Sequence, residues 1–146
     1  MPVVRAAYFD SSVLLKRYVR ENGNDRALAL TRRHLIISAA IAPLEMRSAL
    51  RRAESGGGLS TKAFQSALKR IQAERERWDL VAISTEILQS AERLAVDLKI
   101  RSLDAIHLAC AFACQSRLKN RLPSVTADLR QGDGAQKPGL EIISIE

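Results

Sequence analysis

Apolar and polar positions along the 146 residues form short hydrophobic runs alternating with longer stretches of helical period. Val3 to Phe9 is apolar except for Arg5 and stops at Asp10-Ser11-Ser12, the pattern of a buried strand feeding a capped helix. That helix is expected over Val13 to Val19, ended by Asn22-Gly23-Asn24. A second helix is expected over Asp25 to His34, leading into a strand at Leu35 to Ser38. Pro43 suits the first turn of a third helix, which runs to about Glu54.

Gly56-Gly57-Gly58 breaks the chain, and Ser60 then reads as an N-cap with Leu59 and Phe64 as the hydrophobic staple. The helix that follows reaches to about Trp78, with Phe64, Leu68 and Ile71 on one face. Leu80 to Ile83 is strand-like, and Ser84 caps a helix striped by Ile87, Leu88, Ala91, Leu94, Ala95 and Leu98. Ser102 caps a further helix over Leu103 to Arg117; Pro123 to Thr126 and Leu140 to Ile145 are the last strands. Strands alternating with helices predict an α/β architecture: a three-layer α/β/α domain with a central, mainly parallel sheet. The length suits a single domain over residues 1–146.

Composition narrows the class. A hydrophobic fraction of 47% excludes disorder, and no stretch approaches the roughly 18 uncharged residues of a membrane span. Met1-Pro2-Val3-Val4-Arg5 lacks the layout of a secretory signal, and Cys110 and Cys114 make no disulfide framework. A soluble, cytoplasmic protein is expected. Its net charge of +7 favours phosphate backbones or acidic proteins as partners.

Against that basic background, four acids take equivalent places. Asp10 ends the first strand, Glu45 lies in the first turns of the third helix, Asp104 follows Ser102-Leu103, and Asp128 follows Val125-Thr126. All four fall where strands end or helices begin, the edge at which open α/β sheets bind ligands. Any one of them alone reads as an ordinary cap. Together they would repel one another unless a cation neutralised them. Oxygen donors select a hard divalent ion, Mg²⁺ or Mn²⁺, which can polarise a phosphodiester, generate hydroxide and stabilise a leaving oxygen.

The blocks Tyr8-Phe9-Asp10-Ser11-Ser12, Glu45 before Ser48-Ala49-Leu50, Leu103-Asp104-Ala105-Ile106-His107-Leu108-Ala109 and Val125-Thr126-Ala127-Asp128 resemble PIN domains. They are most similar to the VapC-type ribonuclease toxins of bacterial and archaeal toxin–antitoxin pairs. The resemblance implies a metal-dependent endoribonuclease that leaves a 5′-phosphate and a 3′-hydroxyl, with Asp10, Glu45, Asp104 and Asp128 as its acids. It makes Asp10 and Asp104 direct ligands, has Asp128 act through water, and has Glu45 ligate or orient the nucleophile. It further implies a homodimer and a VapB-like antitoxin that sends a basic side chain toward the acidic pocket, with Val13, Leu14 and Val19 as supports for its apolar anchors or else ordinary core. One departure concerns the segment after Asp128, where Gly132, Gly134, Pro138 and Gly139 leave at most one helical turn and make Asp133 a substitute candidate.

Other side chains have two readings each. Thr126 either bonds a water or phosphate in the site or simply ends a strand. Ser11 and Ser12 read as caps, with Ser12 also placed to donate into the site. His107, Cys110 and Cys114 share one helical face and use zinc-ligand chemistry, but a fourth ligand and paired spacing are missing, so core packing is favoured. Arg47 and Arg51, with Arg52, follow Glu45 on its helix and are candidates for RNA phosphates. Aromatic residues are too sparse for a base-stacking platform. The alternatives to a toxin are a PIN nuclease of RNA processing and a non-catalytic, basic nucleic-acid-binding module.

Overall fold

The structure, a computed structural model, describes residues 5–118, 122–126 and 141–145. Asp128, Asp133, Lys119, Arg121 and the Gly/Pro-containing segment lie outside the described residues. Five strands, β1 (Arg5–Phe9), β2 (His34–Ala39), β3 (Asp79–Val81), β4 (Pro123–Thr126) and β5 (Glu141–Ser144), form one sheet in the order β3-β2-β1-β4-β5. Every pairing is parallel, with Tyr8 opposite Ile37 on one side and Ser124 on the other. Between the strands run α1 (Ser11–Leu15), α2 (Asn24–Arg33), α3 (Ala42–Ser55), α4 (Thr61–Glu74), α5 (Thr85–Leu98) and α6 (Ser102–Leu118).

Period-two geometry sends successive strand residues to opposite faces, and both faces are buried, so the strands are largely apolar. Ala7, Phe9, Ile36 and Val125 point to one face and pack with α1 to α4 through Val13, Leu14, Met46, Leu50, Phe64 and Ile71. Tyr8, Ile37 and Ala39 point to the other and meet Ile87 and Ala91 of α5 and Leu108, Ala109 and Cys110 of α6. Both faces are covered, giving the expected three layers. Val13 and Leu14 are fully buried and Val19 packs against the same core, so these residues are core rather than anchors for an inhibitor.

Several boundaries differ from the sequence expectation. The first helix covers Ser11–Leu15 and then tightens into i→i+3 turns at Lys16, Arg17 and Tyr18, well short of Val19. Lys16 explains this: it is buried, and its Nζ donates to the Asn22 carbonyl at 2.6 Å and to Glu21 at 3.3 Å, which folds the chain back. His34 belongs to β2 rather than to the helix before it. The fourth helix stops at Glu74 because a 3₁₀ turn, Arg75–Arg77, swings Trp78 into the core. The third strand covers only Asp79–Val81, leaving Ile83 in the loop before Ser84, which caps α5 as expected. Among the described residues, no helix is long and apolar enough to cross a membrane.

Candidate active site

The chain runs β1 to β2 to β3 in one direction across the sheet, whereas β4 and β5 lie on the other side of β1. The strand order therefore reverses between β1 and β4, and ligands bind beyond the carboxyl ends of the strands at such a point. Asp10 follows β1 and Thr126 ends β4, so a side-chain hydrogen bond spans this crevice: the Thr126 hydroxyl donates to Asp10 Oδ2 at 2.5 Å. On the other oxygen, Oδ1 accepts from the Ser12 hydroxyl at 2.5 Å and from the Val13 amide at 3.2 Å. Asp10 is thus a buried carboxylate, fixed in orientation, that caps α1. Both hydroxyls singled out in the sequence hold it. The Thr126 side chain itself is fully buried and so bonds the acid rather than a phosphate.

A cleft of about 440 Å³ opens beside Asp10 and is also lined by Glu45, Arg101, Asp104 and His107. Glu45 reaches it from the first turn of α3, where Pro43 starts the helix. Asp104 reaches it from the first turn of α6 and accepts from Arg101 Nε at 3.3 Å. Three of the four expected acids therefore share one cleft, and the fourth, Asp128, falls outside the described residues. Among the described residues, no three His, Cys, Asp or Glu side chains form a ready-made metal cluster. The donor set of the cleft is nonetheless oxygen-rich and anionic, which suits a hard divalent cation rather than zinc.

His107 was only a marginal candidate in the sequence, yet it is central to this cleft. Its Nε2 lies 2.7 Å from Glu45 Oε1 and its Nδ1 lies 2.7 Å from the Tyr8 hydroxyl. Burial, reinforced by the nearby Cys110 and Asp10, pushes the Tyr8 phenol well above its ordinary range. The sequence signal was the spacing of His107 one turn after Asp104; its aim toward α3 was not readable. Cys110 and Cys114 remain buried free thiols in the core.

Arg47 and Arg51 do not line the cleft. Arg47 donates to Gln72 on α4 at 2.5 Å, and Arg51 lies over the Phe64 ring at 4.3 Å. Arg101 lines the cleft instead, and Arg52 lines an adjoining groove with Leu44 and Leu103.

A family model described as the PIN domain matches residues 7–136. No curated protein matches the sequence. Solved structures share the fold at low identity. A toxin–antitoxin complex from Klebsiella pneumoniae is 20% identical with a TM-score of 0.61, covering 97% of this chain and 98% of that one. FitAcB from Neisseria gonorrhoeae is 15% identical with a TM-score of 0.70, covering 95% and 97%. VapBC2 from Rickettsia felis, bound to a promoter DNA fragment, is 14% identical with a TM-score of 0.65, covering 95% and 98%. With the family model spanning nearly the whole chain, and the acids of the cleft seated on the matching fold, this chain belongs to the PIN domain family.

Proposed function

We propose that this PIN domain is an endoribonuclease dependent on Mg²⁺ or Mn²⁺ and the toxin of a VapBC-type pair. The observation that carries this reading is the gathering of Asp10, Glu45 and Asp104 in one cleft at the point where the strand order reverses. A carboxylate set of this kind does not suit a passive binder of a polyanion, which it would repel.

Asp10, Asp104 and Glu45 are the residues that would hold the ion, with Asp128 as the fourth acid. Bound there, Mg²⁺ or Mn²⁺ supplies charge stabilisation at the phosphodiester and favours ionisation of water. The protein's own contributions are positional. Ser12, Thr126 and the Val13 amide hold both oxygens of Asp10, so the acid meets a substrate without reorganising. Arg101, exposed beside Asp104, attracts the backbone phosphate toward the acids. Arg52 extends that positive flank along α3, and Arg47 and Arg51 would engage phosphates farther out. Residues 1–146 act as one nuclease domain in the cytoplasm.

Two of the structures of similar fold, from Klebsiella pneumoniae and Rickettsia felis, are toxin–antitoxin or VapBC complexes, which supports an antitoxin partner here. A guanidinium from such a partner would satisfy the carboxylates of the cleft, and the toxin would pair as a homodimer. Purified protein should cut single-stranded RNA in Mg²⁺ or Mn²⁺, stop in excess EDTA, and recover when Mn²⁺ is restored. Cleavage that persists undiminished in EDTA would overturn the metal-nuclease reading. RNA binding without cleavage under any metal would instead favour the non-catalytic module.

A further inference from the structure

The cleft has a support that the four acids do not account for. Behind Glu45 stands a chain of side chains that is buried at its Tyr8 and His107 end: the Tyr8 hydroxyl, the His107 ring and the half-buried Glu45 carboxylate, joined by two hydrogen bonds of 2.7 Å. Tyr8 comes from the central strand, His107 from α6 and Glu45 from α3, so three elements meet in one line. His107 is 3% exposed and Tyr8 is 1% exposed, which makes each partner obligatory for the other. A buried ring nitrogen left without a partner carries its full desolvation penalty, so neither bond is incidental. The order of donors follows from the chemistry of the ends. Glu45 Oε1 as a carboxylate only accepts, so Nε2 carries the hydrogen; in the neutral ring Nδ1 then accepts from the Tyr8 hydroxyl.

We propose that His107 is a positioning residue, locked by Tyr8 in the Nε2–H tautomer, that holds the Glu45 carboxylate in the orientation in which it receives a divalent ion. This rests on the metal-nuclease reading and deepens it. Groups that orient metal-ligating side chains typically change metal affinity or activity when removed. Both ring nitrogens of His107 are committed to this line, one to the acid and one to the phenol.

Side-chain geometry allows a sharp test, because a glutamine amide reproduces the Nε2 position and an asparagine amide the Nδ1 position. In His107→Gln the donor to Glu45 survives, whereas in His107→Asn only the bond to Tyr8 survives. Tyr8→Phe removes the lock with little change in volume. Mn²⁺ binding measured by titration calorimetry, alongside the thermal midpoint of each variant, separates positioning from packing. His107→Asn should weaken Mn²⁺ affinity by about 10–100-fold and lower kcat. Tyr8→Phe should weaken affinity to a smaller degree, and His107→Gln should restore it even where its thermal midpoint matches that of His107→Asn. Nitrogen-15 shifts of the His107 ring should report the Nε2–H tautomer in the metal-free protein, and a ring that carries its hydrogen on Nδ1 instead would overturn the proposal. Wild-type Mn²⁺ affinity in both His107→Asn and Tyr8→Phe would overturn the proposal while leaving the nuclease reading intact. A wild-type protein that binds no Mn²⁺ would overturn both.

Discussion

Asp10 concentrates the physical demands of the site in one residue. It is buried, negatively charged and fixed by three donors, two of them hydroxyls. Thr126→Val keeps the shape of the side chain and removes the donor to Oδ2. The expected cost is about 1.5–3 kcal/mol, the usual range for a hydrogen bond to a charged group, and urea denaturation measures it. Cleavage should fall as well, because the acid gains freedom to rotate. The cysteines give a prediction of opposite character. Burial pushes the Cys110 thiol up to about 12, so in the folded protein it stays protonated and inert. Iodoacetamide at mild alkaline pH should label neither thiol until the protein unfolds. The sign of the linkage is set by that rise. Below about 9, the ordinary thiol value, both states hold the proton and nothing changes; as pH climbs from there toward about 12, the unfolded thiol ionises first and stability is lost. Chemical-denaturation midpoints across that window should fall, and they should fall less in Cys110→Ala, judged against its own neutral-pH value.

At the scale of elements, much of the order was legible because β1, β2 and β5 lie in bounded, mostly apolar runs and three N-caps are serine or aspartate. What escaped were features decided by tertiary packing. The turn that shortens α1 depends on Lys16 reaching Asn22 and Glu21, and a lysine in an apolar stretch gives no warning that it will be buried. The aim of His107 escaped for a related reason. Seven residues of α6 are buried and they surround the helix, so no polar face marks which way the ring points. Asp10 and Asp104, by contrast, were readable from their places after a strand and inside a helix start. Gly23 gives the elements their sharpest test. It stands at φ +88° before α2, and a Cβ there would lie 3.1 Å from the Ile145 carbonyl, tying the entry of α2 to the end of the sheet. Gly23→Ala should destabilise by about 1–2 kcal/mol from backbone strain alone, read as a lower thermal midpoint.

Across the whole molecule, an acidic cleft sits on a chain of net charge +7. On the proposed function, long-range attraction would bring a polyanion to the surface while the carboxylates of the cleft would be kept for a cation. On the same proposal, the side chains flanking that cleft would set how RNA is engaged. Charge runs in the sequence pointed to Arg47 and Arg51, but helical rotation turns them toward Gln72 and Phe64, and Arg101 takes the place beside Asp104. Arg101→Gln should therefore weaken RNA binding and lower the salt slope by about 0.7, the share of one neutralised phosphate on a single strand. The double change Arg47→Gln and Arg51→Gln should have the smaller effect, and binding isotherms at several salt concentrations compare the two.

The central claim is that the acids of the cleft perform RNA cleavage, and Asp10→Asn tests it most directly. The substitution removes one negative charge with almost no change in shape, so a protein with a native circular-dichroism spectrum isolates the chemistry. Incubated with single-stranded RNA and saturating Mn²⁺, Asp10→Asn should leave the RNA intact while the wild-type protein cuts it. Cleavage by folded Asp10→Asn at the wild-type rate would contradict the account.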